Sequence, residues 1–352
     1  MFFFPTPCRH PSTLTGRSWP GRILAFAAIG VLPSFLNFVG PGRIVQRSSR
    51  VQRQATDLQV EYSESSTLDG RPVSVWSPGT PRKSLDVYNL KLSNRKLSQS
   101  LIGFPLGRGP EVVEVPASNI VGLASKSSVQ SQRGVILVHG LLGTRFDMAF
   151  LAEELASRGF VVMAPEMEDS WSNVDGIIPG GFVGAVVLGR EGVEARRRSV
   201  VQQAIEILQS RGVSKVGLVG HSRGGVTVSQ MQGTFCRVNM AGFLPPPVEP
   251  RANFHESASN DRVLVICGED DEVCCRGPLS LQICQERVKA LVPNADAWYP
   301  AGIGHLTLID TRILKQMRLK VAPLPLPLGE PATDGFAAEL LERVTSFLDK
   351  HV

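Results

Sequence analysis

The sequence predicts an α/β domain, a mostly parallel sheet covered by helices on both faces, and three observations carry that prediction. From Gly134 onward, short apolar runs alternate with longer amphipathic ones, the order expected of strand-helix units. The short runs, 135–138 and 216–219 among them, lack the polar alternation of a half-exposed strand and so suit strands buried on both faces. The second of these runs leads directly into Gly220-His221-Ser222-Arg223-Gly224, and Gly-x-Ser-x-Gly after a strand makes a tight strand-to-helix turn.

Taken in chain order, the first 56 residues read as an address rather than a fold. They hold seven Arg, no Lys and no acidic residue. Their apolar stretch, 23–39, is at the short limit for a membrane span and is interrupted by Gly30, Pro33 and Asn37, which suits the apolar core of a signal peptide better. With Arg47-Ser48-Ser49-Arg50 behind it, this fits a two-part presequence for a plastid bounded by extra membranes. Simple secretion, or an anchor that associates the protein with a membrane, are the alternatives. Residues 57–130 are less defined: short strands are expected near 71–76, 87–92 and 112–115, with polar runs at 63–66 and 125–128.

The main domain is expected over 131–352. Strands are predicted at 135–138, 161–164, 216–219, 238–244 and 263–267, and helices near 146–158, 193–211, 224–232, 279–291 and 335–350. The apolar stripe of the last helix reads as packing. Residues 176–189 are apolar but Gly-rich, a combination expected of a mobile hydrophobic wall beside a site rather than of a core helix. Alternating Leu and Pro over 319–331 read as a stiff linker. Only Pro245-Pro246-Pro247 and a polar loop separate two of the strands, so a small cap or none is expected there.

Chemistry concentrates in four segments. The glycines flanking the turn lift Ser222 clear of the backbone and make it the candidate nucleophile. Upstream, His139-Gly140-Leu141-Leu142-Gly143 follows a strand, and such a turn offers backbone N–H groups beside the nucleophile. We assign the oxyanion hole to the N–H groups of Leu141 and Arg223, because charge developing on a carbonyl oxygen needs fixed donors, each worth about 3 kcal/mol of barrier. His139 itself reads as a brace for the loop. Downstream, a strand ends in Gly268-Glu269-Asp270-Asp271-Glu272, and Asp271 is the chosen acid, with Asp270 and Glu269 as runners-up. Last, His305 lies in a Gly-flanked loop, in the order nucleophile, acid, histidine, and is the candidate base.

These motifs together resemble the α/β-hydrolase superfamily over roughly residues 130–350. Gly220-His221-Ser222-Arg223-Gly224-Gly225 is similar to the nucleophile motif of chlorophyllases and of the related platelet-activating-factor acetylhydrolase-like and dienelactone-hydrolase-like esterases. The resemblance implies a serine hydrolase that cleaves a lipophilic carboxylic ester, in a chlorophyllase-like or lipase-like manner, with no metal and no organic cofactor. Acyl transfer on the same triad, or a non-catalytic ligand-binding protein on the same fold, are the alternatives.

Composition sets outer bounds. At 352 residues and 43% hydrophobic, the chain can bury a large core. Removing the seven positive charges of residues 1–56 from the overall +5 leaves the body at −2, which gives no basic surface for nucleic acid. Cys236, Cys267, Cys274, Cys275 and Cys284 show no metal-finger spacing and read as reduced thiols, with Cys274 and Cys275 as a redox-sensitive pair. Oligomeric state is not legible.

Overall fold

The strands, in chain order, are β1 (Val60–Ser66), β2 (Pro72–Pro78), β3 (Lys83–Ser84), β4 (Val87–Ser93), β5 (Pro110–Pro116), β6 (Val121–Leu123), β7 (Arg133–Val138), β8 (Val161–Pro165), β9 (Lys215–His221), β10 (Cys236–Met240), β11 (Arg262–Ile266) and β12 (Asp296–Trp298). The helices are α1 (Ala149–Ser157), α2 (Gly181–Ser210), α3 (Arg223–Ser229), α4 (Leu281–Leu291) and α5 (Asp334–His351). The computed structural model describes residues 59–81, 83–93, 95, 110–118, 121–123, 131–172, 181–231, 234–242, 262–274, 281–315 and 332–352, with the backbone alone for 110, 181–190 and 291. All of them belong to the unit Arg53–Val352. The presequence with its apolar stretch 23–39, the Leu-Pro segment 319–331, the Pro245 loop and Cys275 lie outside the described residues.

Ten strands form one sheet in the order β12-β11-β10-β9-β7-β8-β2-β1-β6-β3, and β4 and β5 form a separate antiparallel pair. From β8 to β12 every pairing is parallel, and β2 joins β8 antiparallel. Strand β7 shows why the apolar runs carry no polar alternation: Val135 and Leu137 face one core, while Ile136 and Val138 face the other. On the second face, Val200, Val201, Ala204, Ile205 and Leu208 of α2 form a stripe at helical spacing and pack against that face. On the first, α1 and α5 contribute Leu151, Leu155, Leu340, Val344 and Leu348. Among the described residues no helix is long and apolar enough to cross a membrane.

Four elements differ from expectation. The polar run 63–66 is part of strand β1, because Tyr62 inserts beside Trp76, Tyr88 and Phe146 and the strand pairs along its length with β2. Helix α2 begins at Gly181 rather than near 193, so the backbone of 181–189 is helical and not a loop. Extending a formed helix adds one hydrogen bond per residue fixed, which outweighs a glycine penalty of about 1 kcal/mol each once the second half is packed. Strand β10 stops at Met240, where Ala241 turns into the left-handed region (φ 51) and Asn239 Oδ1 accepts the Gly242 N–H at 2.8 Å. Helix α3 ends at Ser229, three residues short of the predicted 232.

Candidate active site

The carboxyl ends of the parallel strands bring the singled-out residues together. Ser222 follows β9, the His139 loop follows β7, Asp271 follows β11, and His305 follows β12. Ser222 holds φ 53 and ψ −122, an unfavourable conformation for a residue with a side chain. It persists because its neighbours are glycines of necessity: a Cβ on Gly220 would overlap the Gly224 carbonyl, and one on Gly224 would overlap the carbonyls of Val138 and His139. The first turn of α3 therefore packs directly on the end of β7.

Ser222 Oγ lies 2.8 Å from His305 Nε2, and His305 Nδ1 lies 2.9 and 3.0 Å from the two oxygens of Asp271. A carboxylate can only accept, so Nδ1 carries the proton and Nε2 presents its lone pair to the serine hydroxyl. Asp271 is wholly buried, and its Oδ1 also accepts the N–H groups of Val273 (2.9 Å) and Cys274 (2.7 Å). Burial works against its ionisation, but His305 and these N–H donors outweigh it and hold the carboxyl below its usual range. Asp270 and Glu269 are exposed on the same turn; Glu272 accepts the His305 backbone N–H at 3.3 Å.

The His139 loop borders Ser222. Gly140 lies against Ser222, where a Cβ would stand 3.0 Å from the serine Cβ. His139 is a brace: Nδ1 meets the Gly140 carbonyl at 2.7 Å, and Nε2 lies 3.0 Å from the Met167 backbone nitrogen and 3.4 Å from Glu166. Burial works against protonation of the ring, but Glu166 outweighs it and holds the pKa above its usual value. Leu142 takes φ 58 and donates its N–H to the Asp169 carbonyl at 3.1 Å, leaving Leu141 at the tip of the loop.

Three side chains that sequence reasoning passed over hold this arrangement. His221 donates from Nε2 to the His305 carbonyl at 3.0 Å, and burial, with His305 beside it, pushes its pKa down to about 3, so it stays neutral. Arg197 of α2 is 2% exposed, and its guanidinium donates to the His139 carbonyl, to Asp169 and, at 3.0 Å, to Thr227 of α3. Glu194 completes the network, accepting from Thr227 (3.0 Å) and from the Arg223 side chain (2.8 Å). Arg197 and Glu194 had no local signal, since an arginine and a glutamate on a helix ordinarily read as a solvated face.

The dienelactone hydrolase family matches residues 120–305, more than half of the chain and a span that reaches from β6 to His305. No curated protein matches. Among solved structures, the chain is similar to a ferulic acid esterase from Streptomyces cinnamoneus, at 17% identity over 85% of this chain and 91% of that one, with a TM-score of 0.52. It is also similar to a dienelactone hydrolase-like promiscuous phosphotriesterase from metagenomic libraries, at 14% identity over 83% of this chain and 99% of that one, with a TM-score of 0.51. Those two likenesses speak to the shared fold. From the family match over this site, the chain belongs to the dienelactone hydrolase family, on the α/β-hydrolase fold, and is a carboxylic ester hydrolase.

Proposed function

We propose that Ser222, His305 and Asp271 are nucleophile, general base and orienting acid in hydrolysis of a lipophilic carboxylic ester through an acyl-enzyme. The observation that carries this reading is the unbroken chain from Ser222 Oγ through His305 to a buried, ionised Asp271. His305 Nε2 takes the hydroxyl proton as Oγ bonds to the ester carbonyl carbon. The charge that moves to the carbonyl oxygen is met by the N–H groups of Leu141 and Arg223. The tetrahedral adduct collapses, His305 gives its proton to the departing alcohol, and an ester joins substrate acyl and Ser222. Water then attacks that ester while His305 takes one of its protons, and the proton returns to Ser222 as the acid leaves. A complete triad also weighs against the non-catalytic reading.

The preference for a lipophilic ester rests on two supports: the apolar composition of 176–189, whose helical part opens α2, and Leu141, an exposed apolar side chain at the tip of the oxyanion loop. Each acyl methylene buried on such a surface adds about 0.8 kcal/mol. A chlorophyllase-like or lipase-like substrate is the sharpest form of this proposal. The test is a series of p-nitrophenyl esters of rising chain length beside a chlorophyll, assayed with wild type and Ser222→Ala. Wild-type kcat/KM should rise with chain length, and the variant should lose roughly 10³-fold or more on every substrate. Equal rates on acetate and long acyl chains would remove the lipophilic preference; comparable turnover by the variant would remove the mechanism.

A further inference from the structure

The turn that carries the acid also gathers two thiols. Cys267, the residue after β11, Asp271 and Cys274 are all buried, and their two Sγ atoms and a carboxylate oxygen lie within 4.8 Å of one another. A tetrahedral zinc ion, with bonds of about 2.3 Å to sulfur and 2.1 Å to oxygen, sets its ligand atoms about 3.6–3.8 Å apart. The three groups therefore need to close by only about 1 Å to satisfy that geometry. They sit on one short stretch with fixed ends, since Asp271 Oδ1 holds the N–H groups of Val273 and Cys274, and the Cys284 thiol donates to the Cys274 carbonyl at 2.7 Å.

We propose that Cys267, Asp271 and Cys274 form a binding site for a thiophilic divalent cation such as zinc, and that its occupation turns hydrolysis down. The effect on hydrolysis rests on reading Asp271 as the triad acid; the binding does not. Two thiolates and a carboxylate suit zinc and disfavour magnesium or calcium, which prefer oxygen alone. Binding displaces both thiol protons to solvent, so the Cys274 S–H gives up its contact with the Ala241 carbonyl at 3.1 Å. A fourth position is left for water. The exposed carboxylates of Glu269 and Asp270 on the same turn raise the local concentration of cations. Once a cation draws on the Asp271 carboxylate, that group stabilises the His305 imidazolium less, and the base weakens. The linear spacing of these residues matches no metal finger, and it is the turn that brings the two sulfurs to the same carboxylate.

The test uses the reduced, metal-stripped full chain, with zinc and cobalt(II) as probes. Equilibrium dialysis should find one zinc per chain, and cobalt(II) should give the thiolate-to-metal absorption band. Zinc should lower p-nitrophenyl acetate hydrolysis by roughly tenfold or more, reversed by a chelator, since a triad acid that cannot act costs up to about 10⁴ in rate. Cys267→Ala and Cys274→Ala should each lose the bound zinc and the band, and neither should slow on adding zinc relative to its own metal-free rate. Should either alanine variant fail to fold, Cys267→Ser and Cys274→Ser supply the same comparison. Zinc bound equally by wild type and both variants, or a cobalt adduct without the thiolate band, overturns the proposal. Binding is read without turnover, so an active enzyme that takes up no zinc defeats this site alone. An inactive chain that binds zinc through both thiols supports the site and defeats the hydrolytic role of Asp271.

Discussion

Ser222 and Asp271 are held in place by opposite means. The serine is presented by a strained backbone that two glycines permit, whereas the aspartate is fixed by hydrogen bonds from His305 and two backbone N–H groups. Asp271→Asn keeps the size of the side chain but can turn an NH₂ group toward His305, favouring the wrong imidazole tautomer. It should lower kcat by roughly 10³–10⁴-fold, while Asp270→Asn, on an exposed neighbour, should stay near wild type. Steady-state kinetics on one ester decide this, and the reverse order would move the acid one residue upstream. His221 shows the same economy: a buried neutral ring whose Nε2–H ties the Ser222 turn to the backbone of His305.

Helix α2 works beyond its packing stripe. Through Arg197 it ties the end of β7, the segment after β8 and helix α3 into one unit beside the His139 loop. Lysine keeps the charge there but cannot reach three acceptors in one plane. Arg197→Ala, which leaves Asp169 buried beside an empty space, should cost about 3–5 kcal/mol of stability. Arg197→Lys should fold with a smaller loss. In Arg197→Lys, kcat should fall with KM little changed, because the donors it positions act chiefly in the transition state. Denaturant midpoints and the split of kcat from KM check this, and an unchanged kcat in the folded lysine variant would make Arg197 a stability residue only.

One buried carboxylate gives the stability of the domain a pH dependence. Asp147 lies at the start of α1, and burial pushes its pKa up from 3.8 to about 6. A raised carboxyl pKa means that the folded state holds the proton more tightly than the unfolded one. Below pH 3.8 both states are protonated and nothing is lost; as pH rises from 3.8 through about 6, this group takes stability away, and the loss is complete above that window. Asp147→Asn retains an oxygen for the Thr144 N–H and hydroxyl, which approach Asp147 at 2.9 and 3.0 Å, and it has no proton to lose. Its unfolding midpoint should therefore gain on wild type progressively between about pH 4 and 6 and keep that margin at neutral pH. A constant difference across that range would show that Asp147 does not titrate there.

Much of this was legible along the chain because it is local. An apolar run such as 216–219 is a buried strand whatever it packs against, and Gly-x-Ser-x-Gly forces the same turn wherever a strand feeds a helix. Chain order then pointed to the acidic turn, with Asp271 chosen over Asp270 and Glu269, and to His305 as partners for Ser222, and the structure brings Ser222, His305 and Asp271 together. What local pattern could not supply was anything set by residues far apart in sequence. Residues 63–66 are a strand because β2 and an aromatic cluster lie beside them, and 181–189 are helical because the packed half of α2 extends backward over glycines. Arg197 and Glu194 carry no local signal, and their role is set only where the ends of β7 and β8 meet helix α3. Propensity and spacing act over a few residues, while burial and the charge pairing it demands are fixed only when distant segments meet.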